Sequence, residues 1–320
     1  MGQAKWRQEK YADRAHTVGG HYVLIIEWLD PSERQTGTEL ASRIERYGSE
    51  VVLATCKSSD DVFGALDLAR DRLLKNEQFP FVHFEAHGAE PPPGGSSEGM
   101  VGPAGELLTW KSLAPRLGAI NRLVGFRLVV IGAACYGLAT LNMFEIDQVA
   151  PFALVVGFNS TVRVGRLFDS MREFYLQMLT GGHLSVHLAV ESANRELSLT
   201  EGELLVPSLF YDFAQQLVRE FLIHELEPGR FASEAERLYL RSITQGAQAV
   251  GIDRFRDHYR QGLVRHLKKA VRTWFAMDEM PDTAVRFPIP VSTLALEIDR
   301  RYRVENLGHV SRISLADGPA

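Results

Sequence analysis

Five apolar runs of strand length, separated by helical or turn-rich sequence, dominate the first two-thirds of the chain. They are HYVLIIEWLD (21–30), VVLATC (51–56), PFVHFEAHG (80–88), RLVVIGAAC (127–135) and FALVVGFN (152–159). Each is too short and too continuously apolar for an amphipathic surface helix, so each reads as a buried strand. Between them, GTELASRIERYG (37–48), SSDDVFGALDLARDRLLKNEQ (58–78), KSLAPRLGAINRLV (111–124) and VGRLFDSMREFYLQMLTGG (164–182) have helical character, and HLSVHLAVESANREL (183–197) adds another helix. MVGPAGELLTW (100–110) has the pattern of a small hairpin, and EPPPGGSSEG (90–99) that of an exposed loop. Strands alternating with helices predict an α/β fold, with a mostly parallel sheet covered by helices on both faces.

In such sheets the functional crevice lies outside the carboxyl ends of the strands. Two of the five runs deliver reactive side chains there. His87, followed by Gly88, closes the third, and Cys135 closes the fourth. On neighbouring strands their backbones would lie roughly 5 Å apart. A thiol is a weak nucleophile until it ionises, and a nearby imidazole can accept its proton. Cys135 is therefore the candidate nucleophile and His87 the candidate base. The backbone N–H groups of Gly88 and Cys135 are candidate donors to an oxyanion. Cys56 also follows a strand, but lacks a glycine-rich setting and reads as core.

Composition sets outer bounds. The chain has 320 residues, 45% hydrophobic and 23% charged, values ordinary for a globular protein with a substantial core. A net charge of -5 argues against a general polyanion binder, so nucleic acid is not an expected partner. No stretch is long and apolar enough to span a bilayer, and no membrane partner is expected. Residues 1–19 read as a polar extension without the apolar core of a signal peptide, which makes the cytoplasm the expected compartment. Two cysteines, Cys56 and Cys135, do not suggest a disulfide framework.

Beyond about residue 200 the pattern changes. Residues 207–226, 232–250 and 255–277 read as helices, and FPIPVSTLALEI (287–298) as a late strand. The expected organisation is an extension over 1–19, an α/β domain over 20–200, and a mainly helical region over 201–320. That last region either packs on the α/β domain or binds a regulatory protein. Arg254, Arg256, Arg260, Arg265, Lys268, Lys269 and Arg272 form a basic run there, read as a solvated helix face.

The order and spacing of these residues resemble the caspase-like cysteine peptidases, in particular the CHAT domains. In that clan a His-Gly follows one strand and an Ala-Cys follows the next parallel strand. Here these are His87-Gly88 and Ala134-Cys135. MVGPAGELLTWKSLAPRL resembles the family's hairpin and helix, and VVGFN followed by REFYLQMLTGG its next strand and helix. The resemblance spans about residues 20–198. It implies a three-layer caspase-like sandwich and an endopeptidase acting on protein or peptide substrates, without a cofactor or metal. A role in bacterial defence or cell death is its weakest implication. For specificity, the resemblance points to Arg163 or Arg166 as readers of an acidic P1 residue. Ala133 stands where metacaspase-like members carry an acid. Glu145 and Asp147, in the loop after Cys135, keep a basic P1 open.

Two other readings remain. A caspase-like frame can persist as a catalytically inactive scaffold. His83, Glu85 and His87 also alternate along one strand and so share a face, an arrangement that would suit a metal-dependent hydrolase.

Overall fold

The computed structural model describes residues 21–75, 78–180, 185–196, 204–248 and 250–302. The extension at 1–19 and Gly181-Gly182 lie outside these. The chain divides into two compact units after Phe210.

The first unit is an eight-stranded mixed sheet flanked by helices. In chain order it contains β1 (His21–Trp28), α1 (Thr36–Arg46), β2 (Glu50–Thr55), α2 (Ser59–Leu74), β3 (Phe79–Gly88), β4 (Gly99–Val101), β5 (Leu107–Thr109) and α3 (Trp110–Leu123). There follow β6 (Val129–Ala133), a 3-10 segment (Gly137–Met143), β7 (Leu154–Phe158), α4 (Val164–Thr180), α5 (Val186–Glu196) and β8 (Leu205–Leu209). The strand order is β2-β1-β3-β6-β7-β8, with the β4–β5 hairpin paired to the end of β3. The pairs from β2 through β7 along this path are parallel, and β8 runs antiparallel to β7.

All five predicted strands form, and β3 and β6 are neighbours. Alternate residues of the sheet build two cores. Val23, Ile25, Ile131, Ala133, Val156 and Phe158 pack with Leu40 and Ile44 of α1, Phe168, Met171, Phe174 and Tyr175 of α4, and Ala189 of α5. On the opposite face, Phe84 meets Trp110 of α3 edge-on at 6.4 Å between ring centroids. Helix α2 starts on a complete capping box between Ser58 and Asp61, as its opening residues suggest.

The face under α1 and α4 also carries charge. Glu27, His83 and Glu85 are fully or almost fully buried there. Glu27 accepts from the Thr38 N–H at 3.0 Å and from Thr38 Oγ1 at 2.6 Å. Glu85 accepts from Thr36 Oγ1 at 2.5 Å and lies 2.9 Å from His83 Nε2. His83 Nδ1 lies 3.0 Å from Tyr175 Oη. One proton assignment satisfies the whole chain. Tyr175 donates to Nδ1, Nε2–H donates to Glu85, and Thr36 donates to the other Glu85 oxygen. Burial, then the negative charge of Glu85, push the Tyr175 phenol well above its usual range, which keeps it a donor. Buried carboxylates are tolerated only when so partnered. Both carboxylates also face the first turn of α1, whose free N–H groups favour negative charge.

The second unit is helical over its described residues. It contains α6, which begins at the boundary (Phe210–Glu225), α7 (Pro228–Thr244), α8 (Ile252–Trp274) and α9 (Asp282–Arg286), and a further helix covers 291–302. Helices α7 and α8 pack through Phe231 on Tyr259 and Tyr239 on Phe255, each at 5.4 Å between centroids. The basic run on α8 is partly neutralised. Arg256 pairs with Asp253, Arg260 with Asp299, and Arg272 with Asp278. No described helix is long and apolar enough to cross a membrane.

Two expectations are corrected. Residues 207–209, read as the start of a helix, belong to β8, because Val206 and Ser208 pair with Gly157 and Val155 along the edge of β7 not paired with β6. The segment 287–298 is not a strand. After Pro288 and Pro290 the chain is helical from 291, with Val291, Ala295 and Ile298 buried at helical spacing.

Replacing Thr36 with Val keeps its shape but leaves buried Glu85 short of one donor. Urea denaturation is expected to show a loss of about 1–3 kcal/mol. Unchanged stability would show that Glu85 does not depend on that bond.

Candidate functional site

The β3–β6 register sets the site. Glu85 is opposite Ala133, so the same register carried two residues further brings His87 level with Cys135. Beyond Glu85, β3 leaves β6 and pairs with the hairpin, His87 opposite Val101 and Gly88 opposite Met100. Ala89 N–H donates to Gly99 O at 3.0 Å. Antiparallel pairs alternate between bonded and non-bonded, so Gly88 directs its N–H away from β4.

The two strand ends touch through backbone. A Cβ on Gly88 would lie 1.7 Å from the Cys135 carbonyl oxygen, so only glycine fits. After Cys135 the chain reverses at once. Tyr136 has φ 57, a left-handed conformation that costs an ordinary residue roughly 1–2 kcal/mol. Its N–H donates to Ser160 O at 3.0 Å, and Gly137 N–H to Ala134 O at 3.1 Å. Gly137 then folds back under β6, where a Cβ would meet Gly132 O at 2.0 Å. The turn lifts Cys135 to a half-buried position at the sheet edge.

Cys135 Sγ accepts from Val162 N–H at 3.4 Å and lies 3.6 Å from Val162 O. Cys135 N–H has no acceptor among the described residues, as an oxyanion donor requires. Cys56 contrasts with Cys135. It is buried, its Sγ lies 3.6 Å from Ala54 O, and burial, with a smaller contribution from Asp61, pushes its thiol up to about 12.

His87 is exposed, and its Nε2 lies 3.0 Å from both carboxylate oxygens of Glu33. The hydrogen bond with His87 holds the Glu33 carboxyl below the usual range. His87 and Cys135 share no hydrogen bond in this structure. Glu33, 54 residues before His87 in the loop after β1, and the Val162 peptide, in the loop after β7, were not expected as site groups. Both loops emerge at the carboxyl edge, which is the one signal that could have drawn attention to them.

The other candidates scatter around this edge. Arg163 is exposed just before α4, and Arg166 is half-buried in its first turn. Glu145 pairs with Lys111 at 3.3 Å and accepts from Gln148 Nε2 at 3.1 Å, while Asp147 is exposed. The face shared by His83, Glu85 and His87 exists, but both His83 nitrogens are engaged by Tyr175 and Glu85, and His87 turns to Glu33. Among the described residues no three His, Cys, Asp or Glu side chains form a group that could hold a metal ion.

No family model matches the chain, and no curated protein matches it.

Gly88→Ala places a methyl group on the Cys135 carbonyl, so the strand ends must separate. The variant is expected to lose stability by about 1–3 kcal/mol in denaturant unfolding, and Cys135 to react more slowly with iodoacetamide. A variant unchanged in both would mean that the contact does not set the site.

Proposed function

We propose that the chain is a cysteine endopeptidase of caspase-like, CHAT-like type, with Cys135 as nucleophile and His87 as base. The observation that carries this reading is the placement of His87-Gly88 and Cys135 at the carboxyl ends of adjacent parallel strands, with Gly88 against the Cys135 carbonyl. His87 takes the thiol proton and Cys135 Sγ attacks the scissile carbonyl. The oxyanion is held by the N–H groups of Cys135 and Gly88. Collapse breaks the C–N bond as His87 protonates the leaving amine, and water then hydrolyses the thioester. The steps use no cofactor.

Arg163 and Arg166 follow Val162 in the chain, and a guanidinium from this segment would select a carboxylate at P1. Glu145, paired with Lys111, and Asp147 keep a basic preference as the alternative. The compartment is the cytoplasm, the helical region receives a regulatory protein, and the setting is bacterial defence or cell death. These rest on the resemblance and on the sequence.

A second reading, a caspase-like scaffold without activity, is favoured by one observation, that His87 and Cys135 share no hydrogen bond. Such bonds often close only in the substrate complex.

A peptide-library cleavage profile of the wild type beside Cys135→Ala separates the two. Cleavage with acidic P1 preference, abolished in the variant, is expected. Cleavage undiminished in the variant would refute the thiol mechanism, and no cleavage by either would support the scaffold.

A further inference from the structure

The loop between β1 and α1 is knit to itself around Glu33 and to the core on the C-terminal side of Glu33. Ser32 donates from its N–H and its Oγ to Asp30 Oδ1, at 2.8 and 2.6 Å. Glu33 N–H donates to Asp30 O at 2.9 Å, and Asp30 N–H donates back to Glu33 Oε2 at 3.1 Å. Arg34 makes a two-pronged bond to Glu39, at 2.9 and 2.7 Å, and lies 4.6 Å over the Phe168 ring of α4. Thr36 is tied to buried Glu85, and Thr38 to buried Glu27. The Glu33 carboxylate is therefore presented from a fixed loop, although it and the His87 ring are solvent-accessible.

The geometry points to Glu33 as the third member of a Cys135–His87–Glu33 triad, a positioning residue that acts on the thiol only through the imidazole. A neutral imidazole carries one N–H and one lone pair, and the partner of one nitrogen decides which is which. Glu33 accepts only, so Nε2 carries the proton and Nδ1 is left with the lone pair. Nδ1 is then the atom that takes the proton from Cys135 Sγ. Once it has done so, both ring nitrogens are donors. The positive charge that results lies 3.0 Å from each Glu33 oxygen, which stabilises the thiolate–imidazolium form. The bonds from Thr36 and Thr38 give the sequence a reason to keep Glu27 and Glu85 buried under α1: they pin the helix start, and with it the loop that carries Glu33.

This rests on the thiol–imidazole reading above, so the test keeps the two apart. The rate of Cys135 alkylation by iodoacetamide is measured on the full chain by intact mass, across pH, for wild type, Glu33→Gln, Glu33→Asp, His87→Ala and the Glu33→Gln/His87→Ala double variant. Thermal melting is followed alongside. The triad predicts that Glu33→Gln slows alkylation on the order of tenfold or more near neutral pH. It predicts a displaced pH profile with no change in melting, and partial recovery in Glu33→Asp. It also predicts no further loss when Glu33→Gln is added to His87→Ala. If His87→Ala slows alkylation and Glu33→Gln does not, or if Glu33→Gln speeds it, the triad is wrong while the dyad stands. If His87→Ala leaves the rate unchanged, the dyad itself falls.

Discussion

The close approach of β3 to β6 is the contact on which everything else at this edge depends. Parallel pairing from Phe81 to Glu85 fixes the register, and the missing Cβ of Gly88 lets the strand end lie on the Cys135 carbonyl. Neither strand could be displaced by one residue without turning its reactive side chain to the opposite face. The register is secured by burial on both faces, with Ile131 and Ala133 packed under α4 and Val130 and Phe84 fully covered on the other side.

The same face buries two carboxylates and an imidazole in a sheet whose other inward residues are aliphatic or aromatic. Such groups are costly to desolvate, and a fold that needed only stability would do as well with apolar side chains. Their partners explain the arrangement. Every acceptor on Glu27 and Glu85 engages Thr36, Thr38 or His83, so the charges join α1 to the central strands. A helix pinned at its first turn also pins the loop that precedes it.

Much of this was legible in the sequence because it rests on local pattern. Continuous apolar runs gave the strands, and His-Gly and Ala-Cys at their ends gave the pair. Burial with a thiol pushed up to about 12 agrees with reading Cys56 as core. What escaped depends on distant partners. Strand β8 is short and leads straight into α6, so its helical continuation masked residues 207–209, whose pairing is set by β7. The 287–298 segment has too few residues between its prolines and its end for strand and helix periods to differ clearly. Glu33 sits in an ordinary Asp-Pro-Ser-Glu turn, and only the fold brings it to His87. The shared strand face of His83 and Glu85 is legible, but their partners Tyr175 and Thr36 lie on two different helices.

The central claim is that one thiol of two is placed to attack a carbonyl. The most direct measurement is intact mass and peptide mapping after exposure of the folded chain to peptidyl acyloxymethyl ketones, which trap a cysteine nucleophile as a thioether. The account predicts a single adduct on Cys135, none on Cys56, and no adduct once the chain is unfolded in urea. Equal labelling of the two cysteines, or labelling that survives unfolding, would contradict it.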